Sequence, residues 1–301
     1  MDQSKIHQEY QKLIDNVGFW VQSPWKVMQI IGKDRIRFLQ NLLSQHIEEQ
    51  VVGEKRWAGF LNAKGKVIGF FQVWKLDEKI LLIVHQSQKA VVDQELQKYW
   101  ITEDIEMKWL DEVQVVSVFG SVKERFFEEY SYQTNQIVEG EILRCSVDDF
   151  FIPSVQMILW PDQKLVLSKI NLEIKEALFE SIRIQSKIPL PKKDYDETIV
   201  LEIPFMHRGV SFNKGCYVGQ ETIARLHARG LHVSKKLLQG KTKHNVQPQD
   251  TVMLDGVQVG TVTSVAPSPI ENGFVSLVWI HRNAFGKQVT VNGNPIEVEY
   301  E

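Results

Sequence analysis

The sequence predicts an α+β protein: two related lobes of mixed helix and strand over residues 1–234, then a small C-terminal β-barrel over 235–301. Three observations carry that expectation. Helical and strand-like periodicities alternate through the first part and their order partly repeats, as expected for helices packed on mixed sheets. After Lys235 the helical stripes stop, and short alternating strands are separated by DG, ENG and NGNP turn signals, the spacing of a compact all-β unit. A chain of 301 residues also exceeds what one hydrophobic core usually holds.

Taken in order, Ile6, Tyr10, Leu13, Ile14 and Val17 share one helical stripe, so an amphipathic helix opens the chain. WKVMQII, residues 25–31, reads as a strand ended by Gly32. Asp34 is the expected N-cap of a helix whose Ile36, Leu39, Leu42, Leu43 and Ile47 recur at helical spacing. RWAGFL and KVIGFFQVWKL flank the turn NAKG as a hairpin, KILLIVH follows the Asp77-Glu78 corner, and residues 87–100 return to helix. The order then recurs: strand VQVVSVFG at 113–120, helix SVKERFFEEY, strands near 142 and 155, and a helix over 171–186. KLLQGKT, DTVML, VQVGTVTSVA, FVSLVWI and KQVTV are the expected barrel strands.

With 43% hydrophobic and 24% charged residues and a net charge of -3, the chain has an ordinary globular composition and no global attraction for nucleic acid. The N-terminus MDQSKIHQEYQKLI lacks an apolar signal core and no run of eighteen apolar residues occurs, so a cytoplasmic protein without membrane contact is expected. A monomer is expected. Two cysteines, Cys145 and Cys216, form no disulfide framework and are too few for an all-cysteine metal or iron–sulfur site. His207, His227 and His232 lack metal-ligand spacing, so no metal site is expected. Lys192-Lys193 and Glu128-Glu129 read as solvated faces.

The least ordinary stretch is NKGCYVGQETIARLHARG, residues 213–230. Its glycines permit positive φ and a close backbone approach, and Gln220-Glu221 opens a helix through Ile223, Ala224 and Leu226 that Gly230 stops. A cysteine leading into a helix N-terminus with a lysine nearby is a setting that favours thiolate. The alternative is a small packed cysteine beside a solvated lysine.

The order K-G-C-Y-x-G-Q-E-x-x-x-R, from Lys214 to Arg225, resembles the signature of the YgfZ-type folate-binding proteins, relatives of the glycine-cleavage aminomethyltransferase. Eight specified positions in twelve make it a specific motif. IIGKDRIRFLQNLLSQHI, FLNAKGKVIGFF and IRIQSKIPLPKKDYDE resemble further family segments, so the likeness runs through nearly the whole chain. It implies two lobes and a barrel around a central channel that takes tetrahydrofolate or a one-carbon derivative. Trp25 and Phe179 stand where the group places aromatic residues against the ligand, or they are simply core. Arg183 matches an arginine able to hold a carboxylate bidentately, or it pairs with a nearby acid. Tyr217, Gln220, Glu221 and Arg225 of the motif are the other folate-contact candidates, Cys216 the working thiol and Lys214 its modulator.

Departures from the family pattern are equally informative. The paired aspartates of the aminomethyltransferase are matched by Gly69 and Phe70, a glycine by Lys187, an asparagine by Gln45, and P-x-E by Pro204-Phe205-Met206. The function that the resemblance implies is assembly or repair of iron–sulfur proteins, with iron–sulfur proteins or cluster-assembly factors as partners and an indirect effect on tRNA modification. A tetrahydrofolate-dependent aminomethyl- or methyltransferase is the alternative, and a regulatory folate-binding module is the third.

Overall fold

The computed structural model describes residues 3–22, 24–120, 135–139, 142–170 and 172–300. The expected helix SVKERFFEEY, with Glu128-Glu129, lies outside them. Helix α1 (Gln3–Ile14) buries Ile6, Tyr10 and Leu13 along one stripe and leads into β1 (Val17–Val21). Then come β2 (Trp25–Ile31), α2 (Arg35–Leu42), β3 (Glu54–Leu61), β4 (Val67–Lys75), β5 (Lys79–His85), α3 (Gln86–Tyr99), β6 (Glu106–Trp109) and β7 (Gln114–Gly120). The next part holds β8 (Ile137–Val138), β9 (Leu143–Val147), β10 (Ser154–Leu159), β11 (Leu172–Glu173) and α4 (Glu176–Gln185). Two 3₁₀ turns, Val200–Glu202 and Pro204–Gly209, precede α5 (Gln220–Ala228). The chain closes with β12 (Lys235–Thr242), β13 (Thr251–Leu254), β14 (Val257–Pro267), β15 (Phe274–His281), β16 (Val289–Val291) and β17 (Asn294–Glu299).

The first sheet, β3-β4-β5-β2-β6, is antiparallel throughout. The second, β11-β1-β7-β10-β9-β8, is mixed, because β1 runs parallel to β11 and antiparallel to β7. The chain therefore starts in the second lobe, builds the first, and returns.

KILLIVH explains how the lobes meet. Ile80, Leu82 and Val84 of β5 pack toward Leu39, Leu43, Val92 and Leu96 of the α2 and α3 side. Leu81 and Ile83 point the other way, onto Val115, Leu143 and Ile158 of the second sheet. A strand buried on both faces reads as a continuous apolar run rather than an alternation, and each such side chain contributes roughly 1.5–3 kcal/mol.

The six C-terminal strands close into a barrel, β12-β15-β14-β13-β16-β17, around Leu238, Val252, Val262, Val278, Ile280 and Ile296. Among the described residues no helix is long and apolar enough to cross a membrane.

Two expectations need correction. Helix α2 stops at Leu42 instead of running to Ile47. Beyond it the buried Lys214 ammonium takes the carbonyls of Gln40, Leu43 and Gln45, and the buried Lys75 ammonium takes those of Ile47, Glu48 and Gln50. These long-range donors replace helical N–H groups, so the apolar spacing continues while the helix does not. Asp34 does precede α2, yet its carboxylate accepts from the Asp104 backbone N–H at 2.9 Å rather than capping the helix.

Candidate functional site

Trp25 at the start of β2, Trp57 on β3, Phe150 beyond β9 and Phe179 on α4 converge on a central cleft. The cavity between these side chains is about 30 Å³ and opens to solvent on one side. Trp25 stands edge-on to Trp57, with centroids 6.1 Å apart at 72°, and to His85, at 5.5 Å and 89°. Phe179 has one face covered by Trp20, at 4.8 Å and 10°, and Phe150 beside it. Burial and then the Arg183 charge lower the His85 pKa, which favours a neutral ring next to Trp25.

Beside Arg183, the cleft holds polar groups that carry no motif in the sequence. The buried Asp149 carboxylate accepts from Lys55 Nζ at 2.6 Å, Trp57 Nε1 at 2.6 Å and an Arg208 N–H at 3.0 Å. Gln156 on β10 is 3% exposed, and its Oε1 has no hydrogen-bond partner. Lys55 and Asp149 lie 94 positions apart, so sequence proximity gives no signal for their pairing. The one local cue is the acidic pair Asp148-Asp149 set directly before Phe150-Phe151.

Arg183 borders the same cleft but its role is corrected. It is 1% exposed, and Nε and one Nη grip Glu180 at 2.7 and 2.9 Å. The remaining donors meet the Ile188 carbonyl at 2.5 Å, Asp194 at 2.9 Å and the Ser264 hydroxyl at 2.9 Å. The five donors thus meet five acceptor atoms on four residues, and no fork is left for a ligand carboxylate. Burial alone would raise the Glu180 pKa, but hydrogen bonds and charge from Arg183 and Lys193 hold it down at about 2. Asp194 in turn accepts from Thr263 at 2.7 Å and Ser264 at 2.5 Å, both on β14, so this network joins α4 to the barrel.

The cysteine segment forms a separate structure. Gly219 adopts φ +86°, and a Cβ there would sit 2.4 Å from the Asn62 carbonyl. Only glycine lets the NAKG turn lie this close to the start of α5. Tyr217 is buried in the core that also holds Trp57 and Phe70, and burial pushes its hydroxyl pKa up to about 12. Lys214 is buried with its ammonium on three backbone carbonyls, which corrects its assignment as a thiol modulator. An ammonium has three donors, and all three are engaged. Burial lowers its pKa to about 8.

Cys216 is exposed, as are Glu221 and Arg225, while Gln220 is half-buried and donates to the Lys214 carbonyl at 3.5 Å. Trp25, Phe179 and Arg183 are therefore brought together, whereas none of the residues 213–228 lines the cleft. Cys145 on β9 is 1% exposed, and burial drives its pKa up to about 12. Among the described residues no three His, Cys, Asp or Glu side chains gather into a metal-binding group.

Two α+β lobes around an aromatic cleft, joined to a closed barrel, define the aminomethyltransferase fold. Aminomethyltransferase T of the glycine cleavage system from Bartonella henselae superposes with a TM-score of 0.85 over 97% of this chain and 86% of that one, at 15% identity. In sequence the chain is similar to the tRNA-modifying protein YgfZ of Vibrio atlanticus, 25% identical over 239 residues, 77% of this chain and 73% of the relative. The tRNA-modifying protein YgfZ of Vibrio vulnificus is 23% identical over 249 residues, 81% of this chain and 74% of its own. A protein of Arabidopsis thaliana named as a chloroplastic transferase is 23% identical over 287 residues, 88% of this chain but 66% of its own length, so the chain spans just under two thirds of that relative. No family model matches the chain. The likeness first read from residues 214–225 thus extends over most of the chain: this is a YgfZ-like sequence on the aminomethyltransferase fold.

Proposed function

We propose that the protein binds a reduced folate in the central cleft and serves the assembly or repair of iron–sulfur proteins, acting on tRNA modification through them. The observation that carries the folate reading is Gln156 Oε1, a buried acceptor without a partner in a cleft walled by Trp25, Trp57, Phe150 and Phe179. Leaving such an atom unpaired costs about 1–3 kcal/mol, and a flat heteroaromatic ring with N–H groups on its edge relieves it while its faces meet the aromatic walls. The pterin of a folate has that chemistry. Asp149, with three of its roughly four acceptor positions engaged, can take one further ring N–H. When bound, the folate supplies one-carbon chemistry; the chain's part is to bind and orient it and keep the cleft dry.

The iron–sulfur part rests on Cys216 and on the resemblance of residues 214–225 to the YgfZ-type signature; the names of the YgfZ relatives speak of tRNA modification alone. With Cys145 sealed in the core, the chain offers one accessible thiol. One sulfur cannot hold a cluster alone, so Cys216 completes or repairs a site whose other ligands come from the partner protein.

Aminomethyl transfer is the weaker reading. A side chain at Gly69 would meet a Val92 methyl at 2.6 Å, and Phe70 is stacked on Trp57 at 5.1 Å and 8°. Hydrocarbon fills the positions matched to the paired acids. The functional test is complementation: in cells lacking the native protein, wild-type restores iron–sulfur enzyme activity and Cys216→Ser does not. Full rescue by the serine variant refutes the thiol's role.

A further inference from the structure

A second pocket of about 120 Å³ opens where the turn Pro204–Gly209 meets β12. Phe205 and Leu237 give it an apolar floor. Arg208 is its cation: the guanidinium carbon lies 4.3 Å over the Phe205 ring, and one N–H reaches Asp149 at 3.0 Å. A guanidinium has five donors, and the other four make no hydrogen bond among the described residues.

Opposite in chemistry is Gln239, 1% exposed. Its Nε2 donates to the Ile184 carbonyl at 2.8 Å and the Gln185 carbonyl at 3.0 Å, which fixes the orientation of the amide. Oε1 is then a buried acceptor with no partner. At the rim Lys187 pairs with Glu299 at 2.9 Å. Lys187 stands where the family pattern has glycine and holds φ +60°, a conformation unfavourable for a lysine. The departure from glycine therefore places a cation at this pocket.

A simple anion would satisfy Arg208 and leave Gln239 Oε1 unpaired. A simple amine would do the reverse. We propose that this pocket is a second ligand site, distinct from the central cleft, that binds a small zwitterionic α-amino acid. Its carboxylate meets the open donors of Arg208, its ammonium meets Gln239 Oε1 and the Glu299 carboxylate, and its carbon skeleton covers Phe205 and Leu237.

Isothermal titration of the full chain with glycine, L-alanine, L-serine and L-glutamate tests this, with acetate and ethylammonium as single-charge controls. At least one amino acid is expected to bind saturably with a Kd below about 1 mM, and both controls at least about tenfold more weakly. Arg208→Gln is expected to weaken binding on the order of ten- to a hundredfold, through loss of a charge-assisted contact. Glu299→Gln, at an exposed rim position that does not threaten folding, is expected to weaken it a few-fold. The proposal is overturned if none of the four amino acids saturates up to about 10 mM, if acetate binds as tightly as the amino acids, or if folded Arg208→Gln binds like wild-type.

Discussion

Arg183 and Asp194 face each other at 2.9 Å with both side chains sealed from solvent, and the same aspartate accepts from Thr263 and Ser264 of the barrel. Of the two roles the sequence leaves open for Arg183, a clamp on a ligand carboxylate or a partner for a nearby acid, the structure shows the second, and the residue pins the α4 lobe to the barrel. Removing one partner of a buried pair strands the other charge, which costs about 3–5 kcal/mol. Arg183→Leu should therefore lower the urea midpoint steeply, or split the transition so that the barrel and lobes unfold separately. A single transition within about 0.5 kcal/mol of wild-type contradicts this placement.

Lys214 gives a pH signature. Burial lowers its folded pKa to about 8, against about 10.4 in an unfolded chain. Between those values the unfolded chain holds a proton that the folded one has released, so this group makes stability rise with pH above about 8. Below that pH both states are charged and its slope vanishes. Lys214→Met should remove the rise and, by leaving the carbonyls of Gln40, Leu43 and Gln45 without their donor, destabilise at pH 7 by about 1–3 kcal/mol. Urea midpoints of both proteins from pH 7 to 10 decide it; identical slopes refute the assignment.

Cys216 and Cys145 should separate cleanly toward an alkylating agent. The exposed Cys216 reacts in the native protein, while Cys145, buried with its pKa raised to about 12, reacts only on unfolding. Mass spectrometry of iodoacetamide-treated protein at pH 7.5, with and without urea, reads this directly. Cys216→Ser should change stability by less than about 0.5 kcal/mol, as expected of an exposed site.

Gly219→Ala tests the docking of the motif. The alanine meets both a positive φ of +86° and the Asn62 carbonyl at 2.4 Å. A loss of roughly 1–3 kcal/mol is expected, with faster proteolysis in the segment 213–219. Unchanged stability would mean that the NAKG turn does not hold the loop.

What the sequence showed depended on whether the signal was local. The NAKG hairpin, KILLIVH and the barrel strands carry their periodicity and turn chemistry within a few residues. β6, four residues long and half exposed, and β17, which opens with Asn294-Pro295, carry too little pattern to be seen. The end of α2 was misread because the donors that replace its helical bonds come from Lys75 and Lys214, far along the chain. The site divides the same way. Motif spacing marked the cysteine loop, and the family resemblance pointed to Trp25 and Phe179, both of which line the cleft. Neither gave a hint of Asp149, Lys55 or Gln156, whose roles exist through contacts between distant strands. For Arg183 the sequence could not choose between a ligand and a nearby acid, because the five acceptor atoms that saturate it, on four residues, are a property of the fold.

The central claim is that a reduced folate occupies the cleft between Trp25 and Phe179 with a ring N–H on Gln156 Oε1. Calorimetric titration of the protein with tetrahydrofolate, repeated for Trp25→Ala and Gln156→Leu, tests it most directly. Saturable one-to-one binding is expected, weakened about tenfold, or about 1.4 kcal/mol, in each variant, with Cys216→Ser unaffected. Absence of saturation at high-micromolar folate, or equal affinity in all four proteins, contradicts it.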